Sequence, residues 1–82
     1  MTTEALLRLP EVKRLTALSR STIYARIAGG EFVAPVSLGA RAVAWPEREV
    51  EAINAARIAG ASNAEIRALV KRLHVARKNG GV

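Results

Sequence analysis

The side chains with chemistry to offer are few, and most are cationic. Protein catalysis needs a nucleophile with its base, a pair of titrating acids, or a metal held by clustered ligands. This chain has no Asp, no Cys and a single His, and His74 has no His or Cys partner with which to form a zinc-type site. His74 itself reads as an exposed helix-end histidine. Glu47 and Glu51 share a helix face, but they sit where the positive end of a helix favours carboxylates. Ser19, Ser21, Ser37 and Ser62 are accounted for as caps or surface contacts, and Gly29-Gly30 reads as a helix stop rather than a phosphate-cradling loop. Neither catalytic residues nor a metal or cofactor site is expected. What remains is a cluster of Arg20, Ser21, Thr22, Tyr24, Ala25 and Arg26, with Arg41 further on. Guanidinium forks and hydroxyls of this kind suit phosphate oxygens and base edges.

The elements that must position those residues can be read from periodicity. Leu7-Arg8-Leu9 alternates like a short strand, and Pro10 then stands at a natural first helical position. Val12, Leu15 and Thr16 share one face of a helix over residues 10–17. Ser19 is a good N-cap, and Ile23 and Ile27 form an i,i+4 inner face for a second helix over 20–28, stopped by Gly29-Gly30. Two short helices about a three-residue turn make a helix-turn-helix. With Ile23 and Ile27 inward, Ser21, Ala25 and Ala28 lie outermost, with Thr22, Tyr24 and Arg26 on the flanks and Arg20 at the leading end. Taken singly, Tyr24 would read as a ring closing the core and Arg20 as a solvated charge. Together on one outward face they read as a groove-contacting set.

From residue 32 the apolar period drops to two. A loop over residues 39–42 pairs Leu38 with Val43 and Val36 with Trp45 on one inward face, leaving Arg41 at an exposed tip. Pro46 restarts a helix with Glu47, Glu49 and Glu51 near its start, Val50, Ile53 and Arg57 inward, and Gly60 as its end. Ser62-Asn63-Ala64-Glu65 has the form of a capping box, and Ile66, Leu69, Val70 and Leu73 carry a fourth helix to about Arg77. Asn79-Gly80-Gly81 is expected to fray. The fold class is thus mainly α with a small β-hairpin: a winged helix-turn-helix over residues 1–60, plus a basic amphipathic helix and tail over 61–82.

The charge balance agrees. In 82 residues, 13 Lys and Arg oppose 7 acids, all glutamate, for a net charge of +6. That excess on a small body favours a polyanionic partner, nucleic acid first and an anionic membrane surface second. No apolar run approaches bilayer length and no secretory pattern follows Met1, so the expected compartment is the cytoplasm, with no membrane partner. Sixteen of the apolar residues are alanine, so the bulky core is thin.

Leu9-Pro10-Glu11-Val12, Leu18-Ser19-Arg20-Ser21-Thr22-Ile23-Tyr24 and the run from Pro35 through Leu38, Gly39, Arg41, Val43 and Trp45 to Pro46 carry a family resemblance. Over about residues 6–58 the chain resembles the AlpA family of phage and prophage regulators, which are similar to excisionases and to MerR-type DNA-binding domains. The resemblance implies a winged helix serving a mobile element, as a transcriptional activator of excision genes or as a recombination directionality factor beside an integrase. It implies recognition-helix roles for Arg20, Ser21, Thr22 and Tyr24, and a wing contact for Arg41. The chain departs from the family pattern at three places. Ala17 replaces a common glycine in the interhelical turn, at a cost of about 1 kcal/mol if φ is positive there. Phe32-Val33-Ala34-Pro35 replaces a Phe-Pro-x-Pro entry to the wing, and Ala25 stands where a basic residue often follows the tyrosine.

Residues 61–82 lie beyond the resemblance. After Glu65 they carry Arg67, Lys71, Arg72, Arg77 and Lys78 and no acid. Four readings stand for this helix: a basic face toward DNA phosphate, self-association of copies on adjacent sites, a membrane-surface helix, or simple completion of the core. The functional expectation is a double-stranded-DNA-binding regulator. Its rival is a protein-interaction module that uses the winged fold without DNA.

Overall fold

A computed structural model describes residues 4–80. The chain order is β1 (Leu6–Leu7), α1 (Leu9–Thr16), α2 (Arg20–Ala28), β2 (Val36–Gly39), β3 (Ala42–Pro46), α3 (Glu47–Ile58) and α4 (Asn63–Gly80). The fold is a winged helix-turn-helix with a C-terminal helix, as the periodicity predicts. No helix among the described residues is long and apolar enough to cross a membrane.

Most helix ends sit where local chemistry puts them. Ser19 caps α2, its Oγ accepting the Thr22 N–H at 3.2 Å. At the other end Gly30 takes a φ of 78°, the Glu31 N–H donates to Arg26 O and the Gly30 N–H to Ile27 O. That pair of bonds satisfies carbonyls the helix would otherwise leave open. The same pattern closes α3 at Gly60, where φ is 85°. Ser62 and Glu65 form the expected reciprocal box: the Ser62 N–H donates to Glu65 Oε1 at 2.7 Å and the Glu65 N–H to Ser62 Oγ at 3.1 Å. α4 runs through Gly80, past the expected end at Arg77 and through the first part of the expected fray; Gly81 lies outside the described residues.

The hairpin differs from expectation. The observed register pairs Val36 with Ala44, Ser37 with Val43 and Gly39 with Ala42, with an irregularity between Ser37 and Gly39. Leu38 is therefore a bulge residue and is half exposed, rather than opposite Val43 on the inner face. Its displacement goes with the turn beside it. A two-residue turn, Ala40-Arg41 with Arg41 at φ 65°, closes the hairpin in place of the expected four-residue loop. Strand β3 is the middle strand of a β1-β3-β2 sheet, with Leu6 opposite Pro46 and Leu7 opposite Trp45. Ala44 and Trp45, which point to opposite faces, are both fully buried, so β3 is covered on both sides.

The core joins Val12 of α1, Ile23 of α2, Phe32 and Val33, Trp45 of β3, Val50 and Ile53 of α3, and Ile66 and Val70 of α4. Two polar ties cross it. Asn54 of α3 donates from Nδ2 to Leu15 O at 2.8 Å, fixing the end of α1. Glu49, 1% exposed, is gripped by Arg77, whose Nε and Nη2 donate to both carboxylate oxygens at 2.6–3.1 Å.

Candidate nucleic-acid interface

The three-residue turn before α2 is held by side chains. Thr16 donates from Oγ1 to Val12 O at 2.7 Å and accepts the Leu18 N–H at 3.3 Å, while Ala17 adopts φ 59°, ψ 25°. This left-handed step meets the condition under which alanine is costly at this position. It turns the chain sharply enough for Ile23 to bury fully against the core while the opposite side of α2 stays in solvent.

On that solvent side lie Arg20, Ser21, Tyr24, Ala25 and Ala28, all exposed. Thr22 is half-buried, and its hydroxyl accepts from Ser19 Oγ at 2.9 Å, so it builds the cap more than it faces outward. Ser21 Oγ lies 3.3 Å from Ser19 Oγ in the same hydroxyl cluster. Arg26 is half-buried on the flank.

Three side chains form a stack that links α2 to the sheet. The Trp45 indole Nε1–H donates to Val33 O at 3.0 Å, which locks the ring in the core. Tyr24 meets it edge to face, with centroids 6.3 Å apart and planes at 71°. The Arg20 guanidinium stands over the Tyr24 ring, 5.7 Å from its centroid. An arginine and a tyrosine at the leading end of the outward helix are thus held by a buried tryptophan. Trp45 is one the sequence assigned only to the apolar face of the hairpin. Its strand runs back to the turn at Arg41, four residues or about 13 Å away. Arg41 is exposed at that turn.

The basic residues of α4 divide. Arg77 points inward: besides Glu49, its Nη2 donates to Ala34 O at 2.6 Å, and its side chain is only 21% exposed. It therefore belongs to the core tie rather than to a phosphate-contacting or copy-contacting surface. Arg67 is paired with Glu31 at 2.9 Å but keeps about half its surface. Lys71, Arg72 and Lys78 are exposed. His74 also corrects the sequence reading: it is half-buried, and its Nε2 accepts the Ala34 N–H at 3.1 Å, which requires a neutral imidazole with its proton on Nδ1. Glu49, Asn54 and His74 gave no local signal, since each bonds to a residue 28 to 40 positions away.

A family model described as "Prophage CP4-57 regulatory protein (AlpA)" matches residues 5–58. The chain is 57% identical over 60 residues to "Uncharacterized protein ORF88" of Enterobacteria phage P4, covering 73% of this chain and 68% of that one. No solved structure matches it. The matched segment starts at the residue before β1 and ends with α3, leaving α4 outside.

Proposed function

The chain belongs to the AlpA family of prophage regulatory proteins, and from that premise we propose that it regulates a mobile element by binding double-stranded DNA in a sequence-specific way. The observation that carries this reading is the outward helix α2 with Arg20 and Tyr24 braced on Trp45. A helix with its side chains fits the major groove, which is about 12 Å wide. Arg20, at the end where such helices usually meet bases, takes a guanine edge through its two-pronged guanidinium. Tyr24 and Ser21 offer hydroxyls to base or phosphate, and Arg26 lies on the flank toward the backbone. Ala25 and Ala28 add no bulk, so the helix can lie close to the groove floor. Thr22 shapes the first turn through the Ser19 cap. Arg41 at the hairpin tip clamps the adjoining backbone.

The energetics follow from charge. Each phosphate neutralised by Lys or Arg releases counterions, so affinity falls steeply with salt. Copies on neighbouring sites then bend the duplex, either arranging an excision complex with an integrase or exposing a promoter for excision genes. An excision reaction with purified integrase, run with and without this protein, distinguishes the two outputs.

The direct test is Arg20→Ala in titrations of duplex DNA from the gene's own neighbourhood. The expected loss is about 1–3 kcal/mol of specific affinity, with flattened discrimination at one base pair. An equal loss on random DNA would reduce Arg20 to a phosphate contact. If the unaltered protein shows no salt-sensitive DNA binding, the winged fold serves a protein partner instead.

A further inference from the structure

We propose that Lys71 and Lys78 form a second backbone clamp, starting beside the C-terminal end of α2, that grips the phosphates of the duplex read by α2. This rests on the DNA-binding reading above. Helical spacing sorts the exposed cations of α4. Arg67, Lys71 and Lys78 stand at i, i+4 and i+11, within about 40° of one another around the axis, whereas Arg72 is turned about 100° from Lys71. The row is not a free-standing charged face, because its position is fixed against α2. The Arg67 stem lies 3.8 Å from where a Cβ on Gly30 would be. Lys71 shares an open groove of about 350 Å³ with Ala28, Gly29 and Phe32. Further along, His74 is tied to Ala34. The row thus follows the segment that joins the end of α2 to the start of β2.

Electrostatics give the row its purpose. The C-terminal end of a helix carries a partial negative charge, which repels phosphate when that helix lies in a groove. Lys71, beside Ala28 and Gly29, offsets that charge, and Lys78 extends the positive row along α4. Among the described residues, the nearby acids are already engaged: Glu31 with Arg67, Glu49 with Arg77, and Glu65 in its cap. Lys71 and Lys78 have no ion-pair partner among those residues, and about 10 Å of helix separates them.

The test compares full-length variants on a random-sequence duplex over about 50 to 200 mM salt. Doubly substituting Lys71→Ala and Lys78→Ala should lower the slope of log affinity against log salt by about 1.8, or about 0.9 per residue. Lys71→Arg with Lys78→Arg should restore it, and Arg72→Ala, on the far edge of the same helix, should leave it unchanged. A wild-type slope in the double alanine variant overturns the clamp, as does an equal change in Arg72→Ala. A variant that alters self-association without altering the slope assigns the row to contact between copies and likewise overturns it. Absence of salt-dependent binding in the wild type would instead bring down the DNA-binding reading itself.

Discussion

Ala17 sits in a conformation, φ 59° with ψ 25°, that brings its Cβ against the backbone. The residue is exposed, so its methyl has little packing to lose. Ala17→Gly should raise unfolding stability by about 0.5–1 kcal/mol, the relief of strain partly offset by the added freedom of glycine in the unfolded chain. Urea denaturation at constant m-value checks this. The resemblance flagged this position, because a glycine is common there, though it left the sign of φ open. The buried carboxylate of Glu49 carried no such flag, because its partner Arg77 lies 28 residues away. Arg77→Met leaves that carboxylate enclosed without a counter-charge, for an expected cost of about 3–5 kcal/mol. Adding Glu49→Met should recover most of the loss, since two apolar side chains can occupy the same space without a desolvated charge.

At the scale of elements, features set within one turn of helix were legible and those set across the sheet were not. Ser19, Gly30, Gly60 and the Ser62–Glu65 box mark helix ends through bonds between residues no more than five apart. The hairpin register turned on a bulge at Leu38, and β1 covers the far edge of β3; alternation alone encodes neither. The box also makes a pH prediction. The Ser62 backbone N–H, followed by its hydroxyl, holds the Glu65 carboxyl below the ordinary carboxylate range, and Arg14 does the same for Glu11 through a hydrogen bond and its charge. Both groups thus lend stability that is complete above that range and is withdrawn as pH falls through their depressed values. Thermal melts of Glu65→Gln should show a shallower decline on the acid side than the wild type. An identical acid limb would mean the box does not hold in solution.

For the molecule as a whole, the sequence places a seam at Gly60-Ala61, yet the core crosses it. Ile66 and Val70 of α4 pack with Trp45, Val50 and Ile53, and Arg77 neutralises Glu49. Ending the chain after Gly60 would expose that apolar surface and leave Glu49 unpaired. The truncated chain should therefore lack a cooperative thermal transition by circular dichroism, whereas a sharp transition would make residues 1–60 an independent domain. Sequence periodicity identified which α4 residues are apolar but not what they meet, since amphipathicity gives a face and not its neighbour. The stack under the reading helix has one more consequence. Trp45 is the chain's one indole and Tyr24 its one phenol, and they touch. A ligand that displaces Arg20 or shifts Tyr24 changes the surroundings of that indole, so its ultraviolet emission should report occupancy without any attached dye.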